Sequence, residues 1–549
     1  MAKFPSQYEL AFAQAFEKLN AAQRQAVEHI EGPVLVIAGP GTGKTQILAT
    51  RIGKILQETD TPAHSILCLT YTDTGRVEMR NRLFSLIGPI AYRVHIHTFH
   101  SFCNEVIQDN LTYFGKQNLE AISELEEIEL FKELLDNVAP DSLLKKFKGD
   151  VNYEIPKVKN LFSLIKKEAW DLSELNNKID SYITRLPTKD GFFYKRNYKQ
   201  FKAGEPNQDR IKEETEYMNK LKEAVTLFSK YEEMMRKKER YTFDDMILWV
   251  LKAFKENNNI LLNYQERCLY FLVDEFQDTS GSQKQLLEHL INYWDTPNVF
   301  VVGDDDQSIF SFQDANVKNI RDFANEYSNG LQKVVLTENY RSTQNILDAA
   351  KILIEHNKER IINDDSSLNK NLVASNPFLK ELKILPQIIE FPNPPNEAIC
   401  VANKIEELIF NEKIKPSEIA VIYRNHRQVE DLVNYLDKKG IHYTMKRNVN
   451  LLELPFIHKI LTLLEYIAAE IDVAYSGDEM LFEILHFDFF KISPIDIARL
   501  SLKVAQSNYG GKSERNSIRR AISEEGQSPT PNLFSTEKTG FCFTILYSF

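Results

Sequence analysis

One stretch constrains this chain more than any other. The continuous apolar run Pro33-Val34-Leu35-Val36-Ile37-Ala38 stops at Gly39-Pro40-Gly41-Thr42-Gly43-Lys44-Thr45. A run that is apolar at every position fits a strand buried on both faces. The residues from Thr45 to about Leu56 read as a helix. Strand, glycine-rich turn and helix together are the context that a phosphate-binding loop requires. Glycines let the backbone curl so that its N–H groups face phosphates, and the helix N-terminus adds a favourable dipole. Lys44 would reach the β- and γ-phosphates, and the Thr45 hydroxyl would hold Mg²⁺. Ala38 stands at the first position of the pattern, where glycine is usual. The competing reading is a glycine-rich turn with a chance lysine.

Such a loop needs an acidic partner for the metal. Phe271-Leu272-Val273-Asp274-Glu275 supplies one at the end of a second apolar run. Asp274 would hold Mg²⁺, and Glu275 could polarise an attacking water. Adjacent carboxylates at a strand end are otherwise a solvated turn.

At 549 residues the chain is too long for one core, so several domains are expected. Strands alternate with helices over the first hundred residues, with candidates at Ile66-Leu69 and Val94-Thr98, which implies a parallel sheet. From about Phe102 to Arg240 the pattern is mostly helical. Ser123 and Glu126 make a capping box ahead of Ile128, Phe131, Leu134 and Leu135. The Lys-, Arg- and Tyr-rich stretch from Gly191 to Arg240 reads as a basic, aromatic surface or as a solvated helical face. Strand candidates return at Leu269-Val273, Val299-Val302, Val334-Leu336, Ile388-Phe391 and Ile419-Tyr423. Five cysteines without paired spacing argue against a disulfide scaffold and suit a reducing cytoplasm. No apolar stretch suggests a membrane span, and no secretory signal is evident. A net charge of −11 means that any nucleic-acid surface must be local. His95, His97, His100 and Cys103 lie close in sequence, but without a second ligand pair at familiar spacing they fall short of a zinc pattern.

The order of motifs is more specific than any one of them. Leu19-Asn20-Ala21-Ala22-Gln23-Arg24 precedes the loop. Thr70-Tyr71-Thr72-Asp73 and Thr98-Phe99-His100-Ser101 follow it. Then come Phe243-Asp244-Asp245, Asp274-Glu275-Phe276-Gln277-Asp278, Gly303-Asp304-Asp305-Asp306-Gln307-Ser308-Ile309 and Asn339-Tyr340-Arg341-Ser342. The series resembles the UvrD/Rep family of superfamily 1 DNA helicases. The resemblance implies an α/β P-loop NTPase with RecA-like parallel sheets and large helical insertions. It implies an ATP- and Mg²⁺-dependent motor moving 3′ to 5′ along single-stranded DNA and acting at duplex junctions, in the setting of DNA repair and replication. Carried over residue by residue, Gln23 would read the adenine edge and Tyr340 would stack on the base with Arg51 nearby. Gln307 would sense the γ-phosphate. Arg341 would act as an arginine finger from the second motor domain. Tyr71, Thr98, His100, Phe310 and Phe312 would contact DNA, the aromatic faces stacking on bases of any sequence. For Phe310 and Phe312 the rival reading is the core.

The implied layout has the first RecA-like domain in 1–103 and 241–328, with a helical insertion at 104–240. A partial second RecA-like domain would cover 329–446 and the start of a second insertion 447–505, followed by a polar, poorly ordered tail at 506–549. Two further family motifs are absent: a Thr-x-His-x-Ala-Lys-Gly-Leu-Glu-like DNA motif and a Val-Ala-x-Thr-Arg-Ala-like second finger. Asp73-Thr74 stands where relatives often have Asn-Lys, and Gln313-Asp314 where Arg-Gly is common. The resulting expectation is a C-terminally truncated helicase. The alternatives are an ATP- and DNA-binding module without efficient turnover, or one part of a multi-subunit helicase whose partner protein supplies the missing motor half.

Overall fold

Each of Val34, Leu35, Val36, Ile37 and Ala38 is buried, which is why the run is apolar throughout rather than alternating. Val34, Val36 and Ala38 face one core and Leu35 and Ile37 the other. This strand, β1 (Val34–Ala38), lies inside a six-stranded parallel sheet. Its companions are β2 (Ile66–Thr70), β3 (His95–Thr98), β6 (Tyr270–Val273), β7 (Val299–Gly303) and β8 (Gln332–Leu336), in the order β3-β2-β6-β7-β1-β8. Between β3 and β6 in sequence, β4 (Glu120–Ala121) and β5 (Arg240–Tyr241) pair as a small parallel ladder at the root of a helical layer. The computed structural model describes residues 6–115, 119–145, 153–194, 196, 202–308, 318–357, 360–363, 368–445, 452, 454–473, 476–508 and 516–526.

Because every strand of the large sheet is parallel, their carboxyl ends share one edge. Ala38, Thr70, Thr98, Val273 and Gly303 all lie along it. Open parallel sheets bind ligands outside this edge. The helical layer has its own core, with Phe131, Phe162, Phe228 and Tyr231 packed together. The Phe131 and Tyr231 rings stack at 5.2 Å between centroids. Its helix Glu124–Asp136 starts at the expected capping box, with Ser123 N donating to Glu126 Oε2 at 2.9 Å.

The chain divides into two compact units, Met1–Gln387 and Ile388–Phe549. The first holds β8, which lies beyond residue 329, where the motif layout places the start of a second α/β domain. The strand is present, but it pairs with β1 in the register Val34↔Gln332, so the first sheet continues past that boundary. It is followed by β9 (Glu338–Asn339), which pairs with β10 (Val373–Ala374).

In the second unit the helices Pro394–Phe410 and Glu430–Lys438 bury Ala402, Ile405, Leu432 and Leu436 against one another. The strands expected at Ile388-Phe391 and Ile419-Tyr423 are not formed. Ile388 and Ile422 are fully or almost fully exposed. A strand needs a neighbour for its N–H and C=O groups, and no described strand pairs with either segment. Part of the expected tail lies within the described residues. The helix Ile518–Gly526 buries Ala521 and Ile522 against Leu481, Leu485, Ile497 and Leu500. Among the described residues no helix is long and apolar enough to cross a membrane.

Candidate functional site

The loop after β1 curls because two glycines adopt left-handed backbones, Gly41 at φ 70° and Gly43 at φ 88°. Gly43 immediately precedes the helix Lys44–Glu58. Thr42 Oγ1 donates to Gly39 O at 2.8 Å and closes the turn. Gly41 has a second reason to be glycine. A Cβ there would lie 2.6 Å from Arg341 Cβ and 2.8 Å from Asn339 Nδ2. The segment after β8 therefore forms one wall of the loop. Tyr340 N donates to Gly41 O at 2.9 Å, and Asn339 Nδ2 donates to Pro40 O.

Lys44 opens the helix and turns back across the strand ends. Its Nζ lies 2.5 Å from Glu275 Oε2 and 3.5 Å from Gln307 Oε1. Three residues spread over 263 positions thus meet at one ammonium. Glu275 follows β6 with a left-handed backbone, φ 48° and ψ 47°. A non-glycine residue in that conformation stores strain of about 1–3 kcal/mol, a cost seen mainly at functional positions. Glu275 also accepts from Gln277 Nε2 at 2.9 Å, and Gln277 Oε1 accepts from Asp304 N at 3.0 Å. The ends of β6 and β7 are stitched together by that amide.

Beside Glu275, burial and the neighbouring carboxylate push the Asp274 carboxyl up to about 7, although Lys44 works the other way. Asp278 is pushed up to about 6, again by burial first and Glu275 second. Thr45 occupies the second position of the helix. A hydroxyl and a carboxylate oxygen are hard ligands suited to Mg²⁺, so the residues present fit that ion.

Gln307 is aimed by a network that the sequence did not announce. Its Nε2 donates to Asp304 Oδ2 at 2.7 Å. Asp304 Oδ1 in turn accepts from Lys370 Nζ at 2.7 Å. The same ammonium reaches Asp305 Oδ1 at 2.6 Å and Asp306 Oδ2 at 2.7 Å. Arg360 grips Asp306 with two bonds of 2.7 Å. Burial works against the Lys370 charge, but Asp304 and Asp305 outweigh it and raise its pKa. Nothing local marks Lys370 or Arg360 in sequence, because their partners lie more than 50 residues away.

Gln23 and Tyr340 are brought together around Asn20. Gln23 Nε2 donates to Thr42 O at 2.8 Å, and its Oε1 accepts from Asn20 N at 3.1 Å. Asn20 Nδ2 donates to the Tyr340 hydroxyl at 3.1 Å, and that hydroxyl donates to Glu338 Oε2 at 2.8 Å. Arg51 is not part of this group. It is 1% exposed, with its guanidinium donating to Ala26 O at 2.7 Å, to His29 O and to Ile30 O at 2.9 Å. Its planar face lies 4.3 Å over the Phe300 ring. The expected place near the adenine is corrected: Arg51 holds the carbonyl end of the preceding helix. Arg341, expected from a second domain, sits in the same compact unit as the loop with its side chain exposed.

Of the expected DNA contacts, Tyr71 follows β2 and is partly exposed. Thr98 ends β3 and caps the next helix, accepting from Ser101 N at 3.2 Å. His100 Nε2 lies 3.5 Å from Asp244 Oδ1. These three lie at the strand ends beside the phosphate loop's own edge of the sheet. Phe310 and Phe312 lie outside the described residues.

The chain is similar to known proteins over most of its length. The pattern of the UvrD/REP helicase N-terminal domain matches residues 19–328, and that of the UvrD-like helicase C-terminal domain matches residues 334–476. The ATP-dependent DNA helicase PcrA of Staphylococcus epidermidis is 28% identical over 493 residues, covering 90% of this chain and 59% of that protein. The ATP-dependent DNA helicase PcrA of Staphylococcus aureus is 28% identical over 491 residues, covering 89% of this chain and 58% of that protein. The chain spans only about 58–59% of the length of these relatives.

Proposed function

This chain belongs to the UvrD/REP helicase family, and from that premise we propose that it binds and hydrolyses ATP to drive 3′-to-5′ movement on single-stranded DNA. The observation that carries the reading is the meeting of Lys44, Glu275 and Gln307 at the carboxyl edge of the sheet, under a loop with two left-handed glycines. The triphosphate rests against the backbone N–H groups of Gly39 to Thr45 and the helix dipole. Lys44 trades its contact with Glu275 for the phosphates, and the freed carboxylate orients and polarises the attacking water. Gln307, held by Asp304 and Lys370, meets the γ-phosphate. Thr45 and Asp274 would hold Mg²⁺, which would supply electrostatic neutralisation of the phosphate charge.

The adenine edge falls to Gln23, whose amide keeps a second N–H and a second lone pair beyond its contacts with Thr42 and Asn20. Tyr340 stacks on the base, and Arg341 supplies cationic stabilisation of the transition state. Single-stranded DNA, up to its junction with duplex, runs over Tyr71, Thr98 and His100, at the ends of β2 and β3 on the same carboxyl edge of the sheet as the ATP site but on its far side from the phosphate loop.

Steady-state ATP hydrolysis with and without single-stranded DNA, beside Lys44→Ala and Glu275→Gln, tests the reading. DNA-stimulated turnover lost in both variants is the expected result. ATP binding without turnover, with or without DNA, would reduce the chain to a binding module. Turnover that appeared only with a second polypeptide would make it one part of a multi-subunit motor.

A further inference from the structure

At the outer edge of the large sheet, away from the phosphate loop, β3 places His95 and His97 two residues apart on one face. Their rings stack with centroids 5.7 Å apart and planes inclined by 21°. Glu105 comes from the helix Phe99–Asp109, which starts directly after β3 and folds back along it. His97 Nε2 lies 3.1 Å from Glu105 Oε2, and His95 Nδ1 lies 3.6 Å from Glu105 Oε1. One ligand atom from each of the three residues falls within 4.8 Å of the others. From this convergence we propose that His95, His97 and Glu105 bind a divalent transition-metal cation of the zinc class.

The spacing suits the chemistry. A tetrahedral cation about 2.0–2.2 Å from each ligand holds those ligands roughly 3.3–3.6 Å apart. The two imidazole-to-carboxylate distances, 3.1 Å to Oε2 and 3.6 Å to Oε1, lie close to that range, and side-chain shifts of about 1 Å bring the wider separations of the cluster, up to 4.8 Å, into it. Two imidazoles with one carboxylate favour zinc, cobalt or iron over Mg²⁺ or Ca²⁺, which take oxygen. The outer partners are those that metal ligands use. His97 Nδ1, the ring nitrogen turned away from Glu105, lies 3.5 Å from Ser101 Oγ. Arg267 Nη2 donates to Glu105 Oε1 at 2.8 Å, which leaves Oε2 as the oxygen nearest His97. The guanidinium also has a second carboxylate in reach, with Nη1 3.8 Å from Asp109 Oδ2. It keeps a partner when a cation draws on Glu105. All three side chains are a fifth to a quarter exposed, so a cation can enter and retain water.

The set differs from the one that the sequence suggests. Cys103 is fully buried in the core, and His100 turns to Asp244. Glu105 replaces them. A bound cation would tie the edge strand to its following helix just before Thr98 and His100, without taking part in ATP hydrolysis.

The test uses the full chain, without an affinity tag, stripped with chelator and free of nucleotide. Co²⁺ is titrated while its visible absorption is followed, and Zn²⁺ is then added as competitor. One equivalent of Co²⁺ displaced by Zn²⁺ is expected. Binding should weaken by about tenfold or more in Glu105→Gln and vanish in His95→Gln/His97→Gln/Glu105→Gln. Asp274→Asn should bind Co²⁺ as the unsubstituted chain does. Glu105→Gln preserves shape and decides the matter if the triple variant does not fold, as judged by circular dichroism. Equal binding in the unsubstituted chain and in Glu105→Gln, no binding at all, or a signal that follows Asp274→Asn instead, would each overturn the site.

Discussion

Replacing Asp274 by Asn should make the nucleotide-free chain more stable at alkaline pH while weakening its hold on Mg²⁺. The carboxyl is pushed up to about 7 in the folded chain, from an ordinary value of 3.8. A raised carboxyl binds a proton in the folded state that the unfolded state has released. It therefore adds stability that is fully present below the unfolded value and is lost as pH rises through about 7. Integrated between those two values, the group favours folding by about 2 kcal/mol at about pH 5.5 and by almost nothing at about pH 8. Asn cannot titrate. The stability difference between Asp274→Asn and the unsubstituted chain should thus swing by about 2 kcal/mol across that window, in favour of Asn at the alkaline end. Urea unfolding of the chain at several pH values, followed by the fluorescence of its three tryptophans, all of which lie in the Met1–Gln387 unit, measures the swing. Asp278, pushed up to about 6, titrates in both proteins and largely cancels in the difference. Calorimetry adds a second reading, since Mg²⁺ binding near pH 6 should release a proton from the unsubstituted chain and none from the variant. A stability difference that stays flat with pH, or a variant less stable at about pH 8, would show that Asp274 is not held protonated by its surroundings.

Three other outcomes follow from the site. Arg51→Met should strip three carbonyls of their donor and cost about 3 kcal/mol or more of stability, with the preference for ATP over GTP unchanged; lost discrimination at full stability would restore the adenine role. Lys370→Met leaves three carboxylates without their common cation. It should lower stability by about 3–5 kcal/mol and slow ATP turnover, and wild-type melting and turnover would make the bridge incidental. Gly41→Ala adds a Cβ at φ 70° and 2.6 Å from Arg341 Cβ, so it should cost about 1–3 kcal/mol and weaken nucleotide binding in an equilibrium fluorescence titration. An unimpaired affinity would mean that the loop is held less tightly than its contacts suggest.

What could be read from the residues depended on how local the cause was. β1 was legible because burial on both faces leaves its mark on five consecutive residues. The phosphate loop was legible because its glycines answer a backbone demand that only glycine meets cheaply. Val334-Leu336 was legible as a strand but not as a member of the first sheet, since its pairing with Val34 spans almost 300 residues. Ile388-Phe391 and Ile419-Tyr423 have the composition of strands, yet pairing is a property of two segments, and no described strand pairs with them. Arg51 misled because motif order assigned it to the nucleotide, whereas the fold closes Phe300 and the end of a helix around it. His95 and His97 were visible as a pair, but Glu105 joins them only through the turn from β3 into its helix.

The phosphate loop and the Asn339-Tyr340-Arg341 segment share a wall, down to the contact that forbids a side chain at Gly41. Two surfaces in such contact cannot be reset independently. By thermodynamic reciprocity, whatever factor a bound nucleotide imposes on the equilibrium position of that segment, the segment imposes on nucleotide affinity. A tension applied to the chain beyond Ser342 would then register at the loop as a change in dissociation constant. In the motor proposed above, the junction would report load on the chain at the nucleotide site, and nucleotide at the chain, in equal measure.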